Sequence, residues 1–283
     1  MEMIENDTRK GSISDLILTF IIMKYQIKFY LKTRRFIAML AIVLLISAVV
    51  VIVDFYVGVS QILLQDSSSS IYISSGVGFV GLSVGLVASF FGGDATSIET
   101  GTNSGYFIMV QPVRKISILV GRYLAAVTLG VGLILIEYLT VAGMSQYIFG
   151  TIDWRILLSV GEMVLLVLAY ISLAFFFSSI FKSPIIGILI SVIFSLILFS
   201  VIDAIMEGTN IEPWFSLNYA EAVIGNIVYV SNFQHVSTTH FGKFFTKIFT
   251  PYIWEGTLIM GAYAVVGFVL SYLLFMRKEV KPQ

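Results

Sequence analysis

Six apolar runs, each near the ~20 helical residues needed to cross a bilayer core of about 30 Å, constrain this chain more than any other feature. They cover residues 36–55, 71–91, 116–142, 156–177, 184–202 and 256–276. Five of them hold one charge or none, and the third holds Arg122 near one end and Glu137 near the other. Soluble helices seldom stay apolar on every face for this long. Only 12% of the 283 residues are charged, about half the share typical of soluble domains, roughly 25%. The expected fold is an all-α integral membrane protein, a single transmembrane domain over 1–283 with six spans.

Orientation follows from lysine and arginine, which accumulate on the cytoplasmic side of membrane proteins. Arg9, Lys10, Lys24, Lys28, Lys32, Arg34 and Arg35 precede the first span. Arg114 and Lys115, then Lys182, then Arg277, Lys278 and Lys281 fall on the same side, against Arg155, Lys243 and Lys247 on the other. Both termini are therefore expected in the cytoplasm and the long loop 203–255 outside. The first 35 residues are charged and show no short apolar run leading to a small-residue cleavage site, so no cleavable signal is expected. A plasma membrane is the natural location.

The composition excludes several functions. Net charge is zero, which provides no general field for nucleic acid. There is no cysteine, hence no disulfide, thiolate metal site or cysteine nucleophile. GxxxxGK[ST], HExxH and GxSxG are absent, so the chain is not expected to be an enzyme or to hydrolyse ATP by a phosphate loop. His235 and His240 are the only histidines, with no carboxylate between them. They read as ordinary loop residues, and no metal site is expected.

Two segments outside the spans are structured by pattern. Over 12–35, Lys24, Lys28, Lys32 and Arg35 recur at helical spacing, while Leu16, Phe20, Met23, Ile27 and Leu31 line another face. Such a helix lies in the membrane interface, as an anchor or as a dock for a partner. In the long loop, 220–230 (AEAVIGNIVYV) is too short to span and too apolar to hang free. It reads as a re-entrant or interfacial helix capping the outer end, with 241–252 resting on the membrane surface.

Between spans two and three runs GGDATSIETGTNSGYFIMVQPVRKISILVGRYLAA, residues 92–126. Gly92-Gly93 suits a helix stop, Asp94 or Ser97 can cap a short new helix, and Pro112 breaks the chain before the third span. The order Glu99, Gly101-Thr102, Pro112, Arg114, Gly121-Arg122, Leu124-Ala125 resembles the signature of type-2 ABC transporter permeases. The resemblance implies that this loop forms a coupling helix seated in a cytoplasmic ABC ATPase subunit. Asp94, Glu99, Thr102, Tyr106, Pro112 and Arg114 would then make the contact. ATP and magnesium would belong to that partner, leaving this chain without a cofactor of its own. A second permease copy or a sister chain would complete the pathway, and the function implied is export of an amphiphilic or hydrophobic substrate.

Glu137 and Glu162 fall at similar depth on consecutive spans, where a carboxylate costs about 2.5 kcal/mol or more unless paired or wet. They line a translocation pathway, bind a cation, exchange protons, or simply bond between helices. Proton exchange would make the chain an ATPase-independent carrier, and a membrane sensor or scaffold is the other alternative. Arg122 is expected to snorkel to lipid phosphates. Gly81, Gly85 and Ser89, at every fourth position of span two, permit close helix approach, either within the chain or in a homodimer.

Overall fold

Lipid offers backbone amides no partners, so apolar runs of this length must close their hydrogen bonds internally as helices. All six do so in the computed structural model, which describes residues 2–66, 68–97, 115–229, 234–241 and 244–277. The spans are Arg34–Val57, Ser69–Gly92, Lys115–Phe149, Ile156–Ile180, Pro184–Gly208 and Ile253–Arg277, each long and apolar enough to cross a membrane. This is the architecture of a multi-pass membrane protein. Arg34, Arg35, Lys115, Lys182 and Arg277 all fall at one end of the bundle, here called the basic end.

Span four is the centre. It packs against spans two, three and six, and two-thirds of its most apolar window is buried, against 17% for span one and 22% for spans five and six. The outer faces of those three spans are thus left to lipid or to a partner.

A separate helix, Glu2–Leu31, precedes span one and packs along span three. Its inward face holds Thr19, Ile22 and Tyr30, whereas Leu16, Phe20 and Leu31 are exposed together with Lys24, Lys28 and Lys32. The helix therefore buries its narrow Thr19–Ile22–Tyr30 strip in protein and presents its apolar and basic side chains outward.

Span two is kinked at Gly78-Phe79 into Ser69–Val77 and Val80–Gly92. Its small-residue stripe faces inward. A Cβ on Gly85 would sit 3.1 Å from the Ser195 Cβ of span five, and the Ser89 and Ser195 hydroxyls are 3.3 Å apart. Packing within the chain thus occupies the stripe, and the homodimer alternative for it is set aside.

Span five contains a π-helical stretch, Ile193–Leu198, between Pro184–Val192 and Phe199–Gly208. Its buried residues are Gly187, Ser191, Ser195, Phe199 and Asp203, one every fourth position.

The short helices of the long loop, Leu217–Glu221 and Val223–Asn226, dip into the bundle, with Leu217, Ala220, Val223 and Ile224 buried. The Tyr263 hydroxyl donates to the Phe215 carbonyl (2.9 Å), and Tyr263 lies roughly 15 Å along span six from Ile253 at 1.5 Å per residue. The Ser159 hydroxyl donates to the Ile224 carbonyl (2.7 Å), supplying a polar partner at a depth where backbone has none from lipid.

The departure from expectation is an antiparallel hairpin, Val236–Phe241 with Phe244–Phe249, in a loop whose only expected element was helical. Its residues are largely β-branched or aromatic, which favours strands over helix.

Candidate functional site

The densest polar construction at the basic end holds residues 93–97, the stem from which the chain leaves span two. Gly93 and Gly187 make it possible. A Cβ on Gly93 would lie 2.7 Å from the Ile188 Cα, and one on Gly187 would strike the Gly93 carbonyl oxygen. Backbone meets backbone at this point, so the end of span two nests against the start of span five. On the other side, a Cβ on Gly92 would sit 2.7 Å from the Ala174 Cβ of span four.

Asp94, Ala95, Thr96 and Ser97 are buried, and each has a dedicated partner. The Asp94 carboxylate is ion-paired with Arg35 at the start of span one. Burial pushes the Asp94 carboxyl above the usual carboxylate range, against the pull of Arg35 beside it. Arg122 of span three donates to the Ala95 carbonyl (2.7 Å). The Thr96 amide and hydroxyl reach the Ser178 oxygen of span four at 2.9 and 3.0 Å, and the Ser97 amide reaches it at 3.2 Å. Ser179, next in sequence, is 2.9 Å from Ser271 of span six. Two residues before Gly93, the Phe91 carbonyl accepts from the Tyr30 hydroxyl (3.0 Å) of the helix Glu2–Leu31.

The other stem is fixed as well. A Cβ on Gly121 would lie 2.8 Å from the Ile22 side chain and 3.0 Å from the Thr19 carbonyl, so this glycine admits the interfacial helix against span three. Arg122, expected at lipid phosphates, instead ties the two stems together through Ala95. Asp94, expected on the contact surface with an ATPase subunit, points inward in this structure. Glu99, Thr102, Tyr106, Pro112 and Arg114 lie outside the described residues.

Ser178 carries a disproportionate share of this stem. Its replacement by alanine removes the acceptor of the buried Thr96 amide, and leaving such a group unsatisfied costs about 1–3 kcal/mol. Ser178→Ala is expected to lower the thermal midpoint of the purified protein clearly. Ser200→Ala, which removes only an exposed hydroxyl bonded within its own helix, should leave the midpoint in place.

Glu137 and Glu162 do not converge. Glu137 lines a small cavity with Ile46, Ser47, Gly76 and Phe79 of spans one and two, and its Oε1 has no hydrogen-bond partner among the described residues. Glu162 accepts from the Thr257 hydroxyl (2.9 Å) of span six.

Two polar regions escaped sequence reasoning. In the first, Glu221 from the dipping helix lies against Gly81, accepts from the Tyr170 hydroxyl, and stands near Asp203. Asp203 accepts from Asn218 (2.9 Å) beside a cavity of about 270 Å³ that Glu207 and Tyr219 also line. In the second, Glu212, His235 and Glu255 gather near the end of the bundle opposite the basic end. None of these groups belongs to a local motif. They are joined by a loop whose path only the fold reveals.

A groove of about 340 Å³ runs between spans one and two, lined by Val49, Val53, Ile62 and Phe79 with Asp54 and Tyr72. The Tyr72 hydroxyl donates to Asp54. Compared with known proteins, the chain matches no protein-family model and no curated protein.

Proposed function

We propose that this chain is the membrane-spanning subunit of an ATP-driven transporter of the ABC class, working with a separate cytoplasmic ATPase and exporting an amphiphilic or hydrophobic substrate. The observation that carries the reading is the Arg122–Ala95 bond. Arg122 belongs to the Gly-Arg pair of the stretch that resembles type-2 permeases, and Ala95 belongs to the opposite stem of the same loop. A loop whose stems are tied to each other and to spans one, two, four and five transmits a push from outside the membrane to several helices at once. In this reading Asp94 is a positioning residue of the loop, and Glu99, Thr102, Tyr106, Pro112 and Arg114 make the ATPase contact.

The rest of the arrangement agrees. The basic end faces the cytoplasm by the lysine and arginine bias, which puts the loop on the side where ATP is. The groove between spans one and two combines valine and phenylalanine walls with one tyrosine-bonded carboxylate. That chemistry suits an amphiphile. The exposed faces of spans one, five and six leave room for a second permease copy or a sister chain.

Purification in mild detergent from the native host, with mass spectrometry of what accompanies the chain, tests this. An ATP-binding subunit at near-equal stoichiometry is expected, and it should be lost when Glu99 and Tyr106 are both replaced by alanine. Absence of any ATPase, under extraction that preserves other membrane complexes, overturns the proposal.

A further inference from the structure

We infer that Glu212, His235 and Glu255 form a binding site for a single divalent transition-metal ion, with zinc the best match to the donor set. This is independent of the transport reading and concerns the opposite end of the bundle. The three residues come from the loop just past span five, the approach to the hairpin, and the first turn of span six. One ligand atom from each lies within 4.8 Å of the others. His235 Nε2 and Glu212 Oε2 are 3.7 Å apart. Ligands on a tetrahedral zinc at about 2.0–2.2 Å stand roughly 3.4 Å from each other, so a small closure brings all three into the first shell.

What distinguishes this group from a chance cluster is that every member is held from behind. His235 Nδ1 is 2.9 Å from the Thr250 carbonyl. A carbonyl oxygen only accepts, so Nδ1 carries a proton, which leaves Nε2 as the metal-binding nitrogen beside the two carboxylates. The ring is stacked on Tyr252, centroids 4.6 Å apart and planes 18° from parallel, which fixes its direction. Glu212 accepts from the Tyr219 hydroxyl through Oε1, which leaves Oε2 toward the histidine. Glu255 accepts from the Tyr252 amide (3.0 Å) through Oε2. A backbone carbonyl behind the imidazole and hydrogen-bond donors behind the carboxylates are the outer shell that metal ligands need for orientation.

The charge and access also fit. Two carboxylates and one imidazole are a donor set whose ligating forms carry two negative charges, which a divalent cation neutralises. The His235 and Glu212 side chains are 26% and 31% exposed, so a hydrated ion reaches them. Three protein ligands leave a fourth position for water. Bound there, the metal would clamp the hairpin and the loop to the start of span six.

The test uses the full-length, tag-free chain in detergent, stripped with EDTA and titrated with zinc against a chromophoric zinc indicator. One zinc per chain is expected, with affinity falling at least tenfold in His235→Asn and in Glu255→Gln. Asparagine keeps a donor for the Thr250 carbonyl while removing Nε2, so His235→Asn is chosen to preserve the local bond. Tyr219→Phe, which touches only the second shell, should weaken binding by about tenfold. X-ray absorption of the loaded protein should show only nitrogen and oxygen neighbours near 2.0–2.1 Å. No saturable binding, or binding unchanged in both His235→Asn and Glu255→Gln, overturns the site. If His235→Asn fails to fold, Glu255→Gln alone decides.

Discussion

Replacing Gly187 by alanine is expected to push apart the basic ends of spans two and five and to destabilise the fold strongly, although the change adds a single methyl group. The added Cβ would strike the Gly93 carbonyl oxygen. That oxygen belongs to a backbone anchored by the Gly93 amide on Ser89 (2.9 Å) and by the buried stem beyond it. Overpacking usually costs about 1–3 kcal/mol because side chains give way; backbone on both sides has less freedom to yield, so the upper part of that range or more is expected. Gly93→Ala should behave alike, since its Cβ would meet Ile188 Cα at 2.7 Å. Gly261→Ala is the matched control. Nothing lies within 4 Å of its added Cβ, and alanine is the better helix former by about 1 kcal/mol. Thermal unfolding of the three purified variants gives the comparison: a large loss for the first two, no loss or a slight gain for the third. Equal effects would disprove the backbone-contact explanation.

Arg35→Ala is expected to destabilise the protein by about 3 kcal/mol, because removing one partner strands a buried charge on the other. The asymmetry of the pair sharpens this: the Asp94 side chain is 1% exposed and that of Arg35 is 44% exposed. Asp94→Asn should cost less, since the amide removes the buried charge yet retains an oxygen for Arg35. The double variant Arg35→Ala with Asp94→Asn should recover much of the stability lost by Arg35→Ala. A double variant no more stable than Arg35→Ala alone would mean that Arg35 acts through its packing and not through Asp94. Unfolding midpoints at one detergent and salt concentration provide the readout.

The spans were readable because lipid demands a length and an apolar surface that a linear sequence displays directly. Their ends were not. Span three runs on to Phe149 because Val141–Phe149 stays helical on one partly buried side, with Met144, Ser145 and Ile148 packed inward. Run length cannot register one-sided burial. The interfacial helix was legible as a helix, but its buried strip was not, because Thr19 and Tyr30 look polar until their partners are known.

The hairpin left a signal that was passed over. Two β-rich runs, 236–241 and 244–249, are separated by Gly242-Lys243, and a two-residue link opening with glycine suits a tight hairpin turn. No comparable cue existed for Glu212, His235 and Glu255, which stand more than a helix length apart in the chain. Asp94 shows the opposite difficulty. Its place in the loop was legible, but whether its carboxylate faced outward or toward Arg35 depended on a residue from another span.

The four-residue rhythm of span five bears on how its two halves can move. In a regular α-helix four residues overshoot a full turn by about 40°, so the path from Gly187 to Asp203 should accumulate roughly 160° and carry Asp203 to the opposite side. The wider winding of Ile193–Leu198 takes up much of that surplus, which helps keep both ends of the row buried. The stretch thus works as a vernier between the nested Gly187 and the carboxylate-lined half of the bundle. Rewinding it to ordinary pitch would swivel Asp203 away from Asn218 and lengthen the helix while Gly187 stays nested against Gly93.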